Sequence, residues 1–148
     1  MISDTQVFLP ILTKVLIATL CGSLIGLDRE IKQKVAGIRT FMLICVGCCI
    51  LTATSFLIPN SDPTRIIAQI ITGVGFLGGG VIYKSDDRIY GVTTASFIWV
   101  ASALGILVGC GFVILPISLT VGLILMSILL QKIEDYIKSK IKSTESPK

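Results

Sequence analysis

The chain has 148 residues, of which 53% are apolar, and a mean hydropathy of +0.89. Only 15% are charged, against about 25% in soluble domains, and the charges fall in a few short stretches, which excludes a soluble globular domain and indicates a polytopic membrane protein of one domain. The net charge of +4 is explained by asymmetry across a membrane and calls for no nucleic-acid partner.

The start, Met1 to Gln6, lacks a basic n-region, so no cleaved signal peptide is expected. The first span covers residues 7–27, with Pro10 in its opening turn, where a missing N–H costs little. Lys14 lies roughly 10 Å inward at 1.5 Å per residue. Its amine is expected to snorkel to the near surface, the alternative being a charge facing a polar cavity. Asp28, Arg29 and Glu30 open the first loop, which runs to Gly37 and carries three cations, with Arg39 and Thr40 following. The second span covers residues 38–58. Within it Cys45, Cys48 and Cys49 share a helix face. Without a His anywhere in the chain, these are expected to pack as small hydrophobes, a soft-metal site being the alternative.

The turn from Pro59 to Pro63 ends that span. Asp62 before Pro63 has the pattern of an N-cap with Pro at N1. The third span, residues 66–83, contains GVGFLGGG from Gly73 to Gly80. Gly73, Gly75 and Gly78 match the dinucleotide fingerprint G-x-G-x-x-G, but the segment is uncharged and lacks the strand–turn–helix context that such a site needs. In lipid, glycines let backbones approach, and Gly75 and Gly79 form G-x-x-x-G. A central helix is therefore expected here, packed through Gly73, Gly75, Phe76, Gly78, Gly79 and Gly80, with Gln69 hydrogen-bonding across helices. Residues 84–88 form a polar loop. The fourth span covers residues 92–110, entered by Thr93 and Thr94, with Trp99 inside it as a packing or cavity-lining residue. Gly109, Cys110 and Gly111 make a tight reversal. The fifth span covers residues 112–130, with Pro116 near its start, and residues 131–148 form a basic tail whose first part is an amphipathic helix at an anionic leaflet. Residues 143–148 are expected to be disordered.

Lys and Arg concentrate in the first loop, the third loop and the tail, whereas the second loop holds only Arg65 and the turn at residues 109–111 holds none. Five spans with the N-terminus outside and the C-terminus cytoplasmic satisfy the positive-inside rule at every loop. The expected fold is thus an all-α membrane helix bundle of about five spans over residues 1–130, with the tail at residues 131–148. A homodimer is expected, since G-x-x-x-G faces promote self-association.

Several blocks occur in a telling order. They are Gly26-Leu27-Asp28-Arg29-Glu30, Ala36-Gly37-Ile38-Arg39-Thr40, Asp62-Pro63-Thr64-Arg65-Ile66, Gln69 with GVGFLGGG, and Gly91-Val92-Thr93-Thr94-Ala95 followed by Trp99. Over residues 20–111 the sequence resembles the MgtC/SapB family of bacterial inner-membrane proteins. Two departures accompany the resemblance. Asp28 stands where the family usually has Glu, and the chain resembles the short, SapB-like form without the cytoplasmic C-terminal domain of the namesake branch. The resemblance implies a multi-pass protein of the bacterial cytoplasmic membrane. It also implies a role in magnesium homeostasis and low-magnesium growth, with virulence in some pathogens. Members were first classed as magnesium transporters, and the namesake branch is associated with inhibition of the proton-driven ATP synthase.

The residues bear on that choice. Mg²⁺ takes oxygen ligands in tight octahedral geometry, and an ion route is normally marked by an ionisable residue within the span. No carboxylate falls near mid-membrane: Asp28 and Glu30, the weak metal candidates, lie at the inner mouth and Asp62 at the outer. Backbone carbonyls freed by a break at Gly78 to Gly80 are the alternative oxygen source. Arg39 is placed to fork-bond Asp28 or Glu30, either pinning two spans or forming a polar switch. Asp62, Arg65, Thr93, Thr94 and Trp99 are expected to line a cavity or meet a partner. With no His and no nucleophile–base pair at usable spacing, no enzymatic activity and no cofactor are expected, Mg²⁺ being a ligand at most. The sequence favours a non-enzymatic regulator acting through membrane-protein contacts, the alternative being a Mg²⁺ or other cation transporter.

Overall fold

The structure, a computed structural model, describes residues 4–144. Its elements in order are α1 (Asp4–Ile31), α2 (Ile38–Ser55), α3 (Pro63–Gly80), β1 (Tyr83–Ser85), β2 (Arg88–Tyr90), α4 (Val92–Gly109) and α5 (Ile114–Thr144). Every connection is short, so successive helices run antiparallel and the chain traverses the bundle five times. Cross-contacts agree: Lys14 of α1 meets Gly109 at the end of α4, and Arg29 at the end of α1 meets Phe97 near the start of α4. Four helices, α1, α2, α4 and α5, are long and apolar enough to cross a membrane. α3 has 18 residues, or about 27 Å, but its glycines, Gln69 and Arg65 lower its apolarity.

The helix ends follow from local chemistry. α1 ends one turn later than the sequence suggests, so Asp28, Arg29 and Glu30 belong to its last turn. It closes on Gln33 in the left-handed region (φ 51°), with the Lys34 amide donating to the Arg29 carbonyl and that of Gln33 to the Glu30 carbonyl. α4 closes the same way on Gly111 (φ 99°), the Phe112 amide donating to Leu107 and the Gly111 amide to Val108. Asp62 caps α3 as expected: its Oδ1 accepts from the Thr64 amide (3.0 Å) and the Thr64 hydroxyl (2.7 Å). α3 is helical without interruption to Gly80 and ends there. The expected polar loop at residues 84–88 is a β-hairpin, pairing Tyr83 with Tyr90. α5 runs without a break from the fifth span through the basic tail to Thr144, so Ser143 and Thr144 are helical; residues 145–148 lie outside the described residues.

The core sits where α2 packs between α1 and α4, and its side chains are small: Ala18, Cys21, Cys45, Cys49, Ala101 and Ser102 are buried, beside Phe41, Ile25 and Ile98. Four glycines permit this contact. A Cβ on Gly22 would lie 2.6 Å from the Phe41 carbonyl oxygen and one on Gly26 2.5 Å from the Ile38 Cα. On the other side, Gly105 faces the Cys45 carbonyl and Gly109 faces Thr52 and Cys49. Gly22 with Gly26 and Gly105 with Gly109 are both G-x-x-x-G pairs. The Cys45–Cys48–Cys49 face is thus a packing seam. Among the described residues no three His, Cys, Asp or Glu side chains group to hold a metal ion.

This corrects the expected role of the glycine-rich stretch. α3 is peripheral, resting on α4 and the flank of α2. Of its glycines only Gly78 is buried, against Ala95, whereas a Cβ on Gly73, Gly75, Gly79 or Gly80 would meet nothing within 4 Å, and Phe76 is 83% exposed. The bundle is centred on α2 because its neighbours carry the glycines that let it in.

Gly105→Ala is expected to cost about 1–3 kcal/mol by overpacking. Gly122→Ala, in the exposed middle of α5 with open space around it, is expected to stabilise by about 0.5–1 kcal/mol. Thermal unfolding in detergent micelles distinguishes them. A second expectation concerns Asp62. The Thr64 hydroxyl and amide hold its carboxyl below the usual range. The folded value is lower than the unfolded one, so the cap's contribution is complete at neutral pH and is lost as pH falls through the lowered value. Hydrogen-exchange protection at Arg65 and Ile66 is therefore expected to fall on acidification below about pH 4, and to be already reduced and free of this acid step in Asp62→Ala.

Candidate functional site

The last turn of α1 carries three charged residues in sequence, and the helix turns each to a different neighbour. Asp28 faces α5. Its Oδ1 pairs with Lys32 Nζ at 2.7 Å and its Oδ2 accepts from Ser127 Oγ at 3.2 Å, while Lys32 Nζ also donates to Ser127 Oγ at 2.8 Å. Asp28 and Lys32 are 8% and 13% exposed at the side chain, so this triangle ties α1 to α5 in a largely dry setting where each charge needs its partner. Glu30 turns to α2: the Ile38 amide donates to its Oε2 at 2.8 Å. A carboxylate at a helix N-terminus satisfies an orphan amide and suits the dipole. Gly37 leaves the room this carboxylate occupies, since a Cβ there would displace the end of the Glu30 side chain.

Arg29 turns inward towards α4. Its Cζ lies 4.4 Å from the centroid of the Phe97 ring, a cation–π contact. The residue is 3% exposed, and Nε and Nη2 are buried with no hydrogen-bond partner. Arg29 lines a cavity of about 710 Å³ between the end of α1, the start of α4, the hairpin and α5. Lys32, Lys34 and Lys138 also face this cavity, as do Glu134, Asp135, Tyr83, Tyr90, Thr93 and Thr94. The rings of Tyr83 and Tyr90 stack at 5.5 Å.

The expected cluster is therefore only partly assembled. Asp28, Arg29 and Glu30 are together, but Arg39 and Thr40 are exposed on the first turn of α2, and among the described residues Arg39 forms no ion pair. Glu30 reaches the α2 backbone instead, and Asp28 is taken by Lys32. Thr93 and Thr94 line this cavity, whereas Trp99 is 53% exposed on the outer face of α4. Gln69 is exposed and makes no side-chain hydrogen bond among the described residues. With Arg65 and Gly73 it lines a second, mostly apolar cavity of about 730 Å³ between α2 and α3. Lys14 Nζ donates to the Gly109 carbonyl at 2.8 Å, at the negative end of α4. Sequence reasoning missed Lys32, Phe97 and Ser127. Lys32 stands four residues after Asp28, a spacing that pairs charges on a helix, and Ser127 is a lone hydroxyl in an apolar span. Only the fold brings them together.

An alternating five-helix bundle with four long apolar helices and charge gathered at helix ends defines a multi-pass membrane protein, consistent with the bacterial cytoplasmic membrane. The profile of the MgtC family matches residues 15–136, and the chain belongs to that family. It is 43% identical over 129 residues to an uncharacterized protein of Haemophilus influenzae, an overlap covering 80% of this chain and 54% of the relative. It is 48% identical over 112 residues to Protein SapB of Bacillus subtilis (69% and 48% covered). It is 39% identical over 115 residues to Protein MgtC of Brucella abortus (77% and 48% covered). The chain spans about half the length of these relatives. No solved structure matches it.

Asp28→Asn is expected to destabilise by about 1–3 kcal/mol, because it leaves the Lys32 ammonium desolvated without its counter-charge. Adding Lys32→Gln should recover much of that loss, so that in a double-mutant cycle read by thermal unfolding the double variant is destabilised by well less than the sum of the two single variants.

Proposed function

We propose that this protein is a non-enzymatic regulator in magnesium homeostasis, acting in the cytoplasmic membrane as a homodimer that contacts another membrane protein. The magnesium link rests on the family. The regulatory reading is carried by one observation: the charges held within the bundle are mainly cationic. Lys14 and Arg29 lie in the spans with no hydrogen bond or ion pair to a carboxylate among the described residues, and Asp28 is occupied by Lys32 and Ser127. A divalent cation crossing in the dry interior needs anionic or carbonyl oxygen ligands, and fixed positive charges oppose it. The carboxylate of Glu30 is likewise engaged, by the α2 backbone.

Self-association is supported by the open face of α3, where Gly75 and Gly79 meet nothing in their own chain. Small residues on a lipid-facing helix allow a second helix to approach closely. The proton-driven ATP synthase is the partner that the family resemblance suggests.

Reconstitution into liposomes with an internal Mg²⁺ dye is expected to give no influx above protein-free vesicles. In a Cys110→Ser background, which leaves only buried cysteines, Gly75→Cys is expected to crosslink between copies and Gly122→Cys is not. Mg²⁺ influx by the purified protein, abolished by Asp28→Asn, would establish transport instead.

A further inference from the structure

A buried guanidinium whose N–H groups lack acceptors is costly, and Nε and Nη2 of Arg29 have none although carboxylates lie nearby. Asp28 gives its oxygens to Lys32 and Ser127, and Glu30 gives one to the α2 backbone, so neither hydrogen-bonds to Arg29. The fork is pressed under the Phe97 ring and lines the 710 Å³ cavity.

A second feature converges on the same space. α4, 18 residues long, begins at Gly91 with no side-chain cap, and Gly91, Thr93 and Thr94 line the cavity. The first amides of a helix are orphan donors at the positive end of its dipole. Gly91 sits at φ 86°, and a Cβ on it would collide with the Val81 carbonyl, so the C-cap of α3 and the start of α4 meet at a close approach that only glycine allows. Lys34 adds an ammonium to the lining. Glu134 and Asp135 also line it from α5; both are exposed, and Glu134 is paired with Lys138 at 3.6 Å. The donors around the cavity thus comprise the Arg29 guanidinium, the Lys34 ammonium and helix amides, a set suited to tetrahedral phosphate oxygens. Leu123 and Met126 give one wall an apolar surface suited to the organic part of an ester.

We propose that this cavity binds a phosphate-bearing anion, with Arg29 as the principal ligand and the N-terminus of α4 as the second. The phosphate belongs either to the headgroup of an anionic phospholipid entering past α5 or to a free phosphate in the aqueous phase. The proposal is independent of the regulatory reading above, because it concerns occupancy of a site and not flux or partner contact.

The protein in nanodiscs of phosphatidylcholine is titrated with inorganic phosphate at constant ionic strength, and in parallel prepared in nanodiscs with increasing phosphatidylglycerol. Thermal unfolding is read in each. An upward shift is expected in one arm, and that arm identifies the source. Arg29→Gln should raise the half-saturating phosphate or lipid content by at least about tenfold, as expected for losing a charge-assisted fork, while unfolding no earlier than the parent in the absence of anion. Thr93→Asp, which places a carboxylate at an exposed position on the first turn of α4 without touching Arg29's packing, should remove the shift as well. Arg88→Gln, an exposed cation outside the lining, should leave it unchanged. Absence of a shift in both arms, or a shift that persists in Arg29→Gln and Thr93→Asp, would overturn the proposal.

Discussion

The architecture depends on how close α2 comes to its two neighbours. In lipid the hydrophobic effect does not drive helices together, so association rests on van der Waals contact, interhelical polar contacts and lipid entropy. Contact is greatest where side chains are removed. Gly22 and Gly26 on α1 and Gly105 and Gly109 on α4 give α2 two backbone-level neighbours. Their small companions Ala18, Cys21, Cys45, Cys49 and Ala101 fill the remaining space. The three cysteines of α2 are thereby accounted for by size, as polarizable side chains small enough for a seam where leucine would force the helices apart.

That seam fixes the vertical register of α1 against α4, and the register decides which charges meet. At one end it brings Lys14 to the carbonyl terminus of α4. At the other it brings Arg29 under Phe97 and, through α5, Asp28 and Lys32 to Ser127. A slide of one turn, about 5.4 Å, would break all of these together. The polar contacts therefore discriminate between registers that the smooth glycine seam alone would leave close in energy, a role for buried polar groups that is best attested in helical assemblies.

The sequence made the membrane class, the order of the helices and the Asp62 cap legible, since these rest on apolar run length, charge placement and a local hydrogen bond. It misdirected on the centre of the bundle. Five glycines within Gly73 to Gly80 dominate the eye, but what matters is whether a backbone lies opposite, and for most of α3 none does. The working pairs, Gly22 with Gly26 and Gly105 with Gly109, are ordinary G-x-x-x-G matches with no local sign that sets them apart. The site was legible in half. Asp28, Arg29 and Glu30 stand out as charges at the end of an apolar run, yet their partners lie far along the chain, as Ser127 does, or on the backbone, as at Ile38. Pairing Arg39 with one of those carboxylates was reasonable by proximity in sequence. It failed because extending α1 by one turn rotates each carboxylate towards a different neighbour.

The bare face of α3 and the cavity over Arg29 are joined at one residue. α3 ends at Gly80, and the Val81 carbonyl lies against the α-carbon of Gly91. Gly91 in its left-handed conformation starts α4, whose first turn lines the cavity. The hairpin between them is only two strands of three residues, held by the Tyr83–Tyr90 pair, and those tyrosines line the cavity as well. The space over Arg29 is thus lined by the same short segment that links α3 to α4. Any larger residue at Gly91 would be doubly opposed, by its backbone angle and by the Val81 carbonyl, so the joint is confined to one geometry. The packed core of α1, α2 and α4 thus meets α3 at the close backbone approach between Val81 and Gly91.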